Sequence, residues 1–278
     1  MSRRLPVNLL LLALAAGLWW VAARSPAPEG KPPPRPFSDI DPGAVRSILI
    51  ERPAGEPLLE IGRRGSHWWI TRPFTAPADR ARVGRLLSIT DEPAARIFSP
   101  EGVDLRQTGL APPRAVLLLD GERIEFGASN PLNRHRYLRR GEAVYLCLDR
   151  EYYLLASTPE SWVDHALLPP GAPVSSISLP TVRYNNRDGE WTLGDGSPAP
   201  GGKALLEAWR GARARAVSRR SEVPPGEEVE IRLARGERLR YRILRPAGQL
   251  ELCRPGSGLC YRLDPALETT LFPANEGG

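Results

Sequence analysis

The side chains with the most reactive chemistry in this sequence are three cysteines, Cys147, Cys253 and Cys260. A thiol can act as a nucleophile, ligate a metal or form a disulfide. Cys253 and Cys260 flank an Arg-Pro-Gly-Ser-Gly-Leu segment, which predicts a hairpin with a cysteine near the end of each strand. In an oxidising compartment this spacing allows a cross-strand disulfide, and two small buried side chains are the alternative. Cys147 lies in an apolar strand and is predicted to belong to the core.

The histidines and carboxylates form no recognisable catalytic or metal-binding pattern. His67, His135 and His165 are widely separated, and none lies in a His-x-x-x-His or Cys-x-x-Cys context. The sequence contains no P-loop, no Gly-x-Ser-x-Gly and no Gly-x-Gly-x-x-Gly run. Aspartates such as Asp79 and Asp120 fall at helix starts or in turns, where capping accounts for them. We therefore predict no catalytic residue, no metal site and no cofactor.

Six arginines are the candidates for binding a charged partner. Four bracket one predicted hairpin, and two lie along the predicted helix of the second half of the chain and the segment that follows it: Arg134, Arg136, Arg139, Arg140, Arg210 and Arg213. Guanidinium groups pair well with carboxylates and phosphates, so this patch would fit an acidic protein, lipid head groups or an anionic glycan. The alternative is a solvated surface on which the arginines pair with the 32 acidic residues of the chain.

The overall charge does not require a nucleic-acid partner. The chain of 278 residues has a net charge of +6, and Arg3, Arg4 and Arg24 lie in an N-terminal segment without acidic residues. The remainder carries only a mild positive excess, unlike the strongly basic composition of nucleic-acid-binding domains. We expect no nucleic-acid ligand.

The N-terminus has the pattern of a membrane anchor. Arg3 and Arg4 precede an apolar run from Val7 to Ala23, which as a helix would be about 26 Å long, close to the thickness of a bilayer core. Positive charge ahead of the run predicts a cytoplasmic N-terminus and export of all that follows. We expect a single-pass protein of the inner membrane, held by residues 5–23. A cleavable signal peptide is the alternative.

Composition divides the chain into an anchor, a linker and two modules. The cytoplasmic tip and anchor comprise residues 1–24, and a proline-rich linker comprises residues 25–44. The prolines between Ser25 and Pro36 favour an extended spacer that holds the rest of the chain away from the bilayer. The first module is predicted over residues 45–168 and the second over residues 169–278.

Both modules show the same succession of strands, helix and hairpins. In the first, a strand over His67–Ile70 precedes a helix that begins at Ala78-Asp79. In the second, Glu190–Leu193 precedes a helix over Gly202–Gly211. The spacing is 122 residues at the tryptophans and 115 at the Leu-Asp pairs that end the last strands. We therefore predict an α+β fold: an N-terminal transmembrane helix followed by two related modules, each an antiparallel sheet with a packed helix.

Several of these elements resemble a known family. The matching residues are Trp69-Ile70, Pro73, Ala78-Asp79, Gly109-Leu110, Pro113, Ile124, Phe126, Gly127, Arg136-Tyr137 and Val144-Tyr145-Leu146. Together they resemble the domain-of-unknown-function 4340 family, most closely over residues 45–162. The resemblance implies a bacterial, membrane-anchored envelope protein, often encoded beside gliding-motility-type ABC transporter components, and it brings no established activity. The motifs are packing and turn residues, so they identify a fold more securely than a function.

These observations predict a non-enzymatic, membrane-anchored periplasmic protein that acts as an accessory or interaction subunit of an ABC-type transport or envelope assembly. The transport partner comes from the resemblance alone. A periplasmic ligand- or glycan-binding protein is one alternative, and it would need a polar-lined pocket between the modules. An envelope hydrolase is the other, and it would need carboxylates or a histidine that converge in a cleft.

Overall fold

The computed structural model of the chain describes residues 13–17, 19–20, 36–52, 58–130, 133–169 and 171–273. Residues 13–17 and 19–20 are helical. Most of the predicted anchor, residues 5–23, lies outside the described residues, as does most of the proline-rich segment. Among the residues that are described, no helix has the length and apolarity needed to cross a membrane.

In the described part of the chain, the first sheet consists of nine antiparallel strands. Their bounds are β1 Ser47–Glu51, β2 Leu59–Arg64, β3 His67–Arg72, β4 Ala76–Pro77, β5 Ala94–Phe98, β6 Ala115–Leu119, β7 Glu122–Asn130, β8 His135–Arg140 and β9 Ala143–Leu148. Across the sheet the order is β4-β3-β2-β1-β6-β7-β8-β9-β5.

The chain leaves this sheet at one edge and returns at the other. Strands β1 to β4 step outwards as a meander, and helix α1 (Arg80–Leu87) then leads to the opposite edge, where β5 pairs with β9. Strand β6 enters beside β1, and β6 to β9 step outwards until they meet β5. This route brings the edge strand β4 and the start of α1 together at one edge.

The second sheet repeats this topology. Its strands are β10 Val174–Ser178, β11 Arg183–Arg187, β12 Glu190–Leu193, β13 Ala216–Arg219, β14 Glu227–Leu233, β15 Arg238–Leu244, β16 Leu250–Cys253 and β17 Leu259–Leu263. Their order is β12-β11-β10-β14-β15-β16-β17-β13, which matches the first sheet strand for strand once β4 is set aside. A single bridge between Thr192 and Pro198 stands where β3 pairs with β4. The fold is α+β with two sheet modules.

The helices begin and pack as their sequences dictate. Asp79 caps α1, and its Oδ1 accepts hydrogen bonds from the N–H groups of Ala81 (2.8 Å) and Arg82 (3.1 Å). Helix α2 is Tyr152–Leu155, α3 is Gly202–Gly211 and α4 is Glu268–Leu271. Short 3-10 turns lie at Ser88–Asp91, Pro100–Gly102, Pro159–Trp162, Pro246–Gly248 and Pro265–Leu267. The buried face of α1 consists of Val83, Leu86 and Leu87. The buried face of α3 consists of Leu205, Leu206 and Trp209. In each helix the helical spacing places these side chains on one side.

The two sheets share one hydrophobic core. Buried apolar residues of both sheets form a single cluster. This cluster includes the connector between β9 and β10, in which Trp162, Val163, Leu167 and Leu168 are buried. The connector is hydrogen-bonded to the second module as well, because the N–H of Ala214 donates to His165 O at 2.9 Å. The modules therefore pack against each other through the connector.

The last residues of the predicted linker pack on the first module. Phe37 is buried, and its ring lies edge-on to Tyr145 with centroids 5.8 Å apart. The N–H of Phe37 donates to Glu92 O at 3.1 Å, and Asp39 pairs with Arg140 at 2.5 Å. Within the described residues, the chain from Pro36 onwards thus belongs to the folded unit rather than to a free spacer.

Candidate functional site

A cavity of about 250 Å³ lies where the connector meets β3, β4 and the start of α1. Its apolar wall comes from Trp68, Trp69, Pro77, Ala78 and Pro169, and its polar groups come from Ser66, His67, Arg80 and Asp164. Aromatic surface with a few polar groups at its rim is the usual composition of a binding site.

Backbone hydrogen bonds hold the cavity together. The N–H of Asp79 donates to Trp162 O at 2.8 Å, and the N–H of Asp164 donates to Pro77 O at 2.9 Å. A bridge between Ala78 and Val163 lies between these two bonds. The connector therefore runs as an extended segment along the edge of the first sheet, and it closes one side of the cavity.

A smaller cavity of about 30 Å³ adjoins the first on the side of the second sheet, and Trp69 and Asp164 line both. Arg254 and Tyr261 contribute to its wall. The guanidinium of Arg254 lies 5.7 Å from the centroid of the Tyr241 ring. Burial raises the pKa of Tyr241, whose hydroxyl donates to Leu167 O at 2.5 Å. This space is large enough for little more than water.

The predicted arginine patch is not assembled as a free cationic surface. Arg139 lies 3.6 Å from Glu125, and Arg140 pairs with both Asp39 and Glu122. Arg210 pairs with Glu207 at 3.1 Å on its own helix, and Arg213 donates to the carbonyl groups of Arg210 and Ala212 at the helix end. Arg134 is exposed and forms no ion pair with another described residue. Most guanidinium groups of the patch therefore already bind acidic side chains or backbone carbonyl groups of the protein itself.

Arg136 requires the clearest correction, because it is buried. Its Nε and Nη2 form a bidentate pair with Asp149, at 2.9 and 2.7 Å, and its Nη1 donates to Gly127 O at 2.5 Å. The guanidinium also lies 3.5 Å from the centroid of the Tyr152 ring. Arg136 thus joins β7, β8 and α2, and it is not accessible to a partner.

A disulfide joins Cys253 and Cys260 across the ends of β16 and β17. These sulfurs and a Glu251 carboxylate oxygen lie within 4.8 Å of one another, a potential metal-binding group among the described residues, but the disulfide occupies both thiols. Glu251 instead pairs with Arg220 at 2.7 Å. Burial, reinforced by Glu92, raises the pKa of Cys147 to about 12, so its thiol is not activated as a nucleophile.

The aspartates predicted to lie in turns serve structural roles in separate places. Asp120 accepts hydrogen bonds from the N–H groups of Arg46 and Ser47 and from the Ser47 hydroxyl, which fastens the start of β1. Burial acts to raise the pKa of Asp120, but these hydrogen bonds together hold that pKa below its usual value. Asp264 caps the turn before α4 and pairs with Arg215. Each histidine contacts local or backbone groups: Ser66 for His67, Asn133 for His135 and Ala214 for His165.

Two buried glutamates lie near Arg136, and no sequence motif marks them. Glu92 and Glu151 are both buried, and the Oε2 of Glu151 has no hydrogen-bond partner among the described residues. Burial raises the pKa of Glu151, and the neighbouring carboxylate of Glu92 raises it further. Both residues are polar and lie next to strand or helix ends, so the sequence alone predicts exposure.

The protein has an α+β fold of two antiparallel-sheet modules, and the connector between them lines a cavity with the composition of a binding site. The family model for a domain of unknown function, DUF4340, matches residues 68–219, which is more than half of the chain. The chain belongs to this family, as the resemblance predicted. The match begins on β3 and ends on β13, so it includes the connector and reaches further into the second module than the resemblance did. No curated protein and no solved structure gives a significant match.

Proposed function

We propose that this protein is a non-enzymatic interaction subunit, anchored in the inner membrane by its N-terminus and exposed to the periplasm. The observation that carries this proposal is the sheet edge at Pro77–Asp79. There, backbone hydrogen bonds hold an extended segment of the connector beside a cavity lined by indole rings. Such an edge is a means of binding polypeptide. The ABC-type transport or envelope assembly as its partner follows from the family resemblance.

The N-terminal residues support the anchoring part of the proposal. Leu14, Trp19 and Trp20 lie in the described helical residues and are all more than half exposed. Large apolar side chains on one helix are unfavourable in water and suit lipid, and tryptophan is typical of the interface. The basic residues ahead of the run give the expected orientation.

Co-purification from detergent-solubilised membranes tests the proposal. The full-length protein is compared with a variant in which a cleavable signal peptide replaces residues 1–24, so that both forms are exported. Both carry the same C-terminal tag and are expressed at equal levels. We expect the full-length protein to retain a membrane protein in constant ratio. If neither form retains any membrane protein, the proposed role as a subunit is wrong.

Ligand or glycan binding is the second candidate, favoured by the 250 Å³ cavity with Trp68 and Trp69 in its wall. Indole faces stack on sugar rings, and His67, Arg80 and Asp164 could orient hydroxyl or acidic groups. Calorimetric titration with neutral and acidic disaccharides tests this candidate, because binding there should be lost in Trp69→Ala. The envelope-hydrolase alternative is not proposed, because the aspartates named above are held apart in separate contacts.

A further inference from the structure

Two arginines on helix α1 have no anionic partner. Arg82 and Arg85 are three residues apart, so their side chains are neighbours on the surface of the helix. In the part of the chain that the structure describes, neither forms an ion pair with a carboxylate. Other arginines of the protein are well paired, since Arg123 and Arg245 each contact two glutamates. The pair on α1 therefore stands out as a place where positive charge is not matched from within.

Arg82 is held in place, yet its hydrogen-bonding capacity is unused. The side chain is half-buried, and its guanidinium carbon lies 5.1 Å from the centroid of the Trp162 ring. This cation–π contact with a fully buried indole fixes the position of the charged group. The Nε of Arg82 is buried and has no hydrogen-bond partner among the described residues. A buried donor without an acceptor is unfavourable, so an acceptor supplied by a ligand would stabilise it.

Arg85 and Tyr153 lie beside Arg82. The Nη1 of Arg85 donates to the hydroxyl oxygen of Tyr153 at 2.9 Å. A hydroxyl group that accepts one bond keeps its own O–H to donate to another acceptor. Arg82 is close enough to Tyr153 and Arg85 to interact electrostatically with both. Two guanidinium groups and one hydroxyl therefore meet where α1, α2 and the connector come together.

The acidic residues near these arginines do not neutralise them. Burial lowers the pKa of Arg82, and the like charge of Arg85 lowers it further. The carboxylates that act on the two arginines are Asp79 and Glu151. Asp79 already caps α1, and Glu151 is buried with a raised pKa, which disfavours its charged form. The two guanidinium groups thus lack a full countercharge within the described chain.

We infer that Arg82, Arg85 and Tyr153 form a binding site for a phosphate monoester. Such a group has a charge of about −1.5 to −2 at pH 7 and three free oxygens, which match two guanidinium groups and a hydroxyl donor. A carboxylate offers one charge and two oxygens, and it would satisfy fewer of these donors. The inference goes beyond the proposed interaction role, because it assigns a ligand to side chains that line neither cavity described above.

Titration with inorganic phosphate tests the inference. The full-length protein in detergent micelles is labelled with 3-fluorotyrosine, and the Tyr153 resonance is assigned with Tyr153→Phe. At pH 7 and constant ionic strength, we expect a saturable shift of this resonance. Affinity should be at least about tenfold weaker in Arg82→Gln and in Arg85→Gln, because each variant loses one of the two cationic donors.

A second probe distinguishes two sources of the phosphate group. Short-chain dioctanoyl phosphatidic acid carries a phosphate monoester on a lipid, and it is titrated in the same micelles. Tighter binding of this lipid than of inorganic phosphate would assign the site to a lipid headgroup. Equal binding of the two would assign it to a soluble phosphorylated compound. Both results support a phosphate site.

Matched variants separate this site from general attraction by positive charge. Arg235→Gln removes an exposed arginine in the turn between β14 and β15 of the second sheet, and it should leave phosphate affinity unchanged. Arg82→Lys keeps the charge but lacks the planar fork of donors, so it should bind phosphate more weakly than the wild type. If Arg82→Gln does not fold, Arg85→Gln at its exposed position still provides the test.

Three outcomes would overturn the inference. The first is a Tyr153 resonance that shows no saturable shift at millimolar phosphate. The second is an affinity that Arg85→Gln leaves unchanged or that Arg235→Gln weakens equally. The third is a glutamate-rich peptide that shifts Tyr153 at lower concentration than phosphate does, which would assign the site to an acidic protein. None of these affects membrane co-purification, and failed co-purification leaves phosphate binding measurable on the purified protein.

Discussion

At the scale of single residues, Arg136 connects more of the first module than any local pattern indicates. Its guanidinium pairs with Asp149, donates to Gly127 O and stacks on Tyr152. Arginine-rich segments predict exposure, yet one member of this segment is buried because β8 alternates and every second side chain faces inward. Exposed Arg134, two residues earlier, lies beyond the strand and follows no such alternation.

Replacing Arg136 by Ala should cost about 3 kcal/mol of the free energy of unfolding, because it leaves Asp149 without its bidentate partner. Arg134→Ala, at an exposed position, should change this free energy by less than about 0.5 kcal/mol. Urea unfolding of both variants provides the measurement. Equal effects of the two substitutions would show that the Arg136 pair contributes little to stability.

Glu151 should make the protein less stable as pH rises. Its pKa in the folded state is raised by burial and by Glu92, so the stability it contributes is fully present below its unfolded pKa and is lost as pH rises through the folded pKa. Glu151→Gln removes this titration. We expect the variant to be more stable than the wild type at pH 7–8 and equal to it near pH 4. A constant difference across this range would contradict the raised pKa.

At the scale of elements, two glycines in equivalent helices should respond in opposite ways. A Cβ on Gly202 would lie 2.6 Å from the Trp191 ring, whereas a Cβ on Gly84 in α1 would contact nothing within 4 Å. Gly202→Ala should therefore displace the indole and cost about 1–3 kcal/mol. Gly84→Ala should stabilise the protein by about 0.5–1 kcal/mol through helix propensity. Thermal or urea unfolding measures both, and stabilisation by both would show that the indole does not rest on α3.

Elements with a strong local pattern could be predicted, and those defined by distant pairing could not. The helix Gly202–Gly211 and the strand Glu190–Leu193 have the bounds that the sequence predicts, because apolar spacing and turn residues define their ends. Strand β4 has two residues and exists through its pairing with β3. The cavity beside Trp69 was likewise not predicted, since it depends on the segment that packs across the edge of the first sheet.

At the scale of the whole molecule, the common strand order of the two sheets accounts for the repeated sequence pattern. Helices α1 and α3 must each return the chain to the far edge of their sheet. The elements therefore recur in the same order even where the side chains differ. The two halves differ at the connector, which runs along the edge of the first sheet at Pro77–Asp79.

The placement of these modules outside the cytoplasm is the claim on which the proposed role depends. Protease treatment of intact spheroplasts carrying the full-length protein with a C-terminal tag tests it most directly. A cytoplasmic marker protein provides the control for intact membranes. We predict that the tag is degraded in intact spheroplasts and that a fragment containing residues 1–24 stays in the membrane. A tag that remains protected until the spheroplasts are lysed would contradict the account.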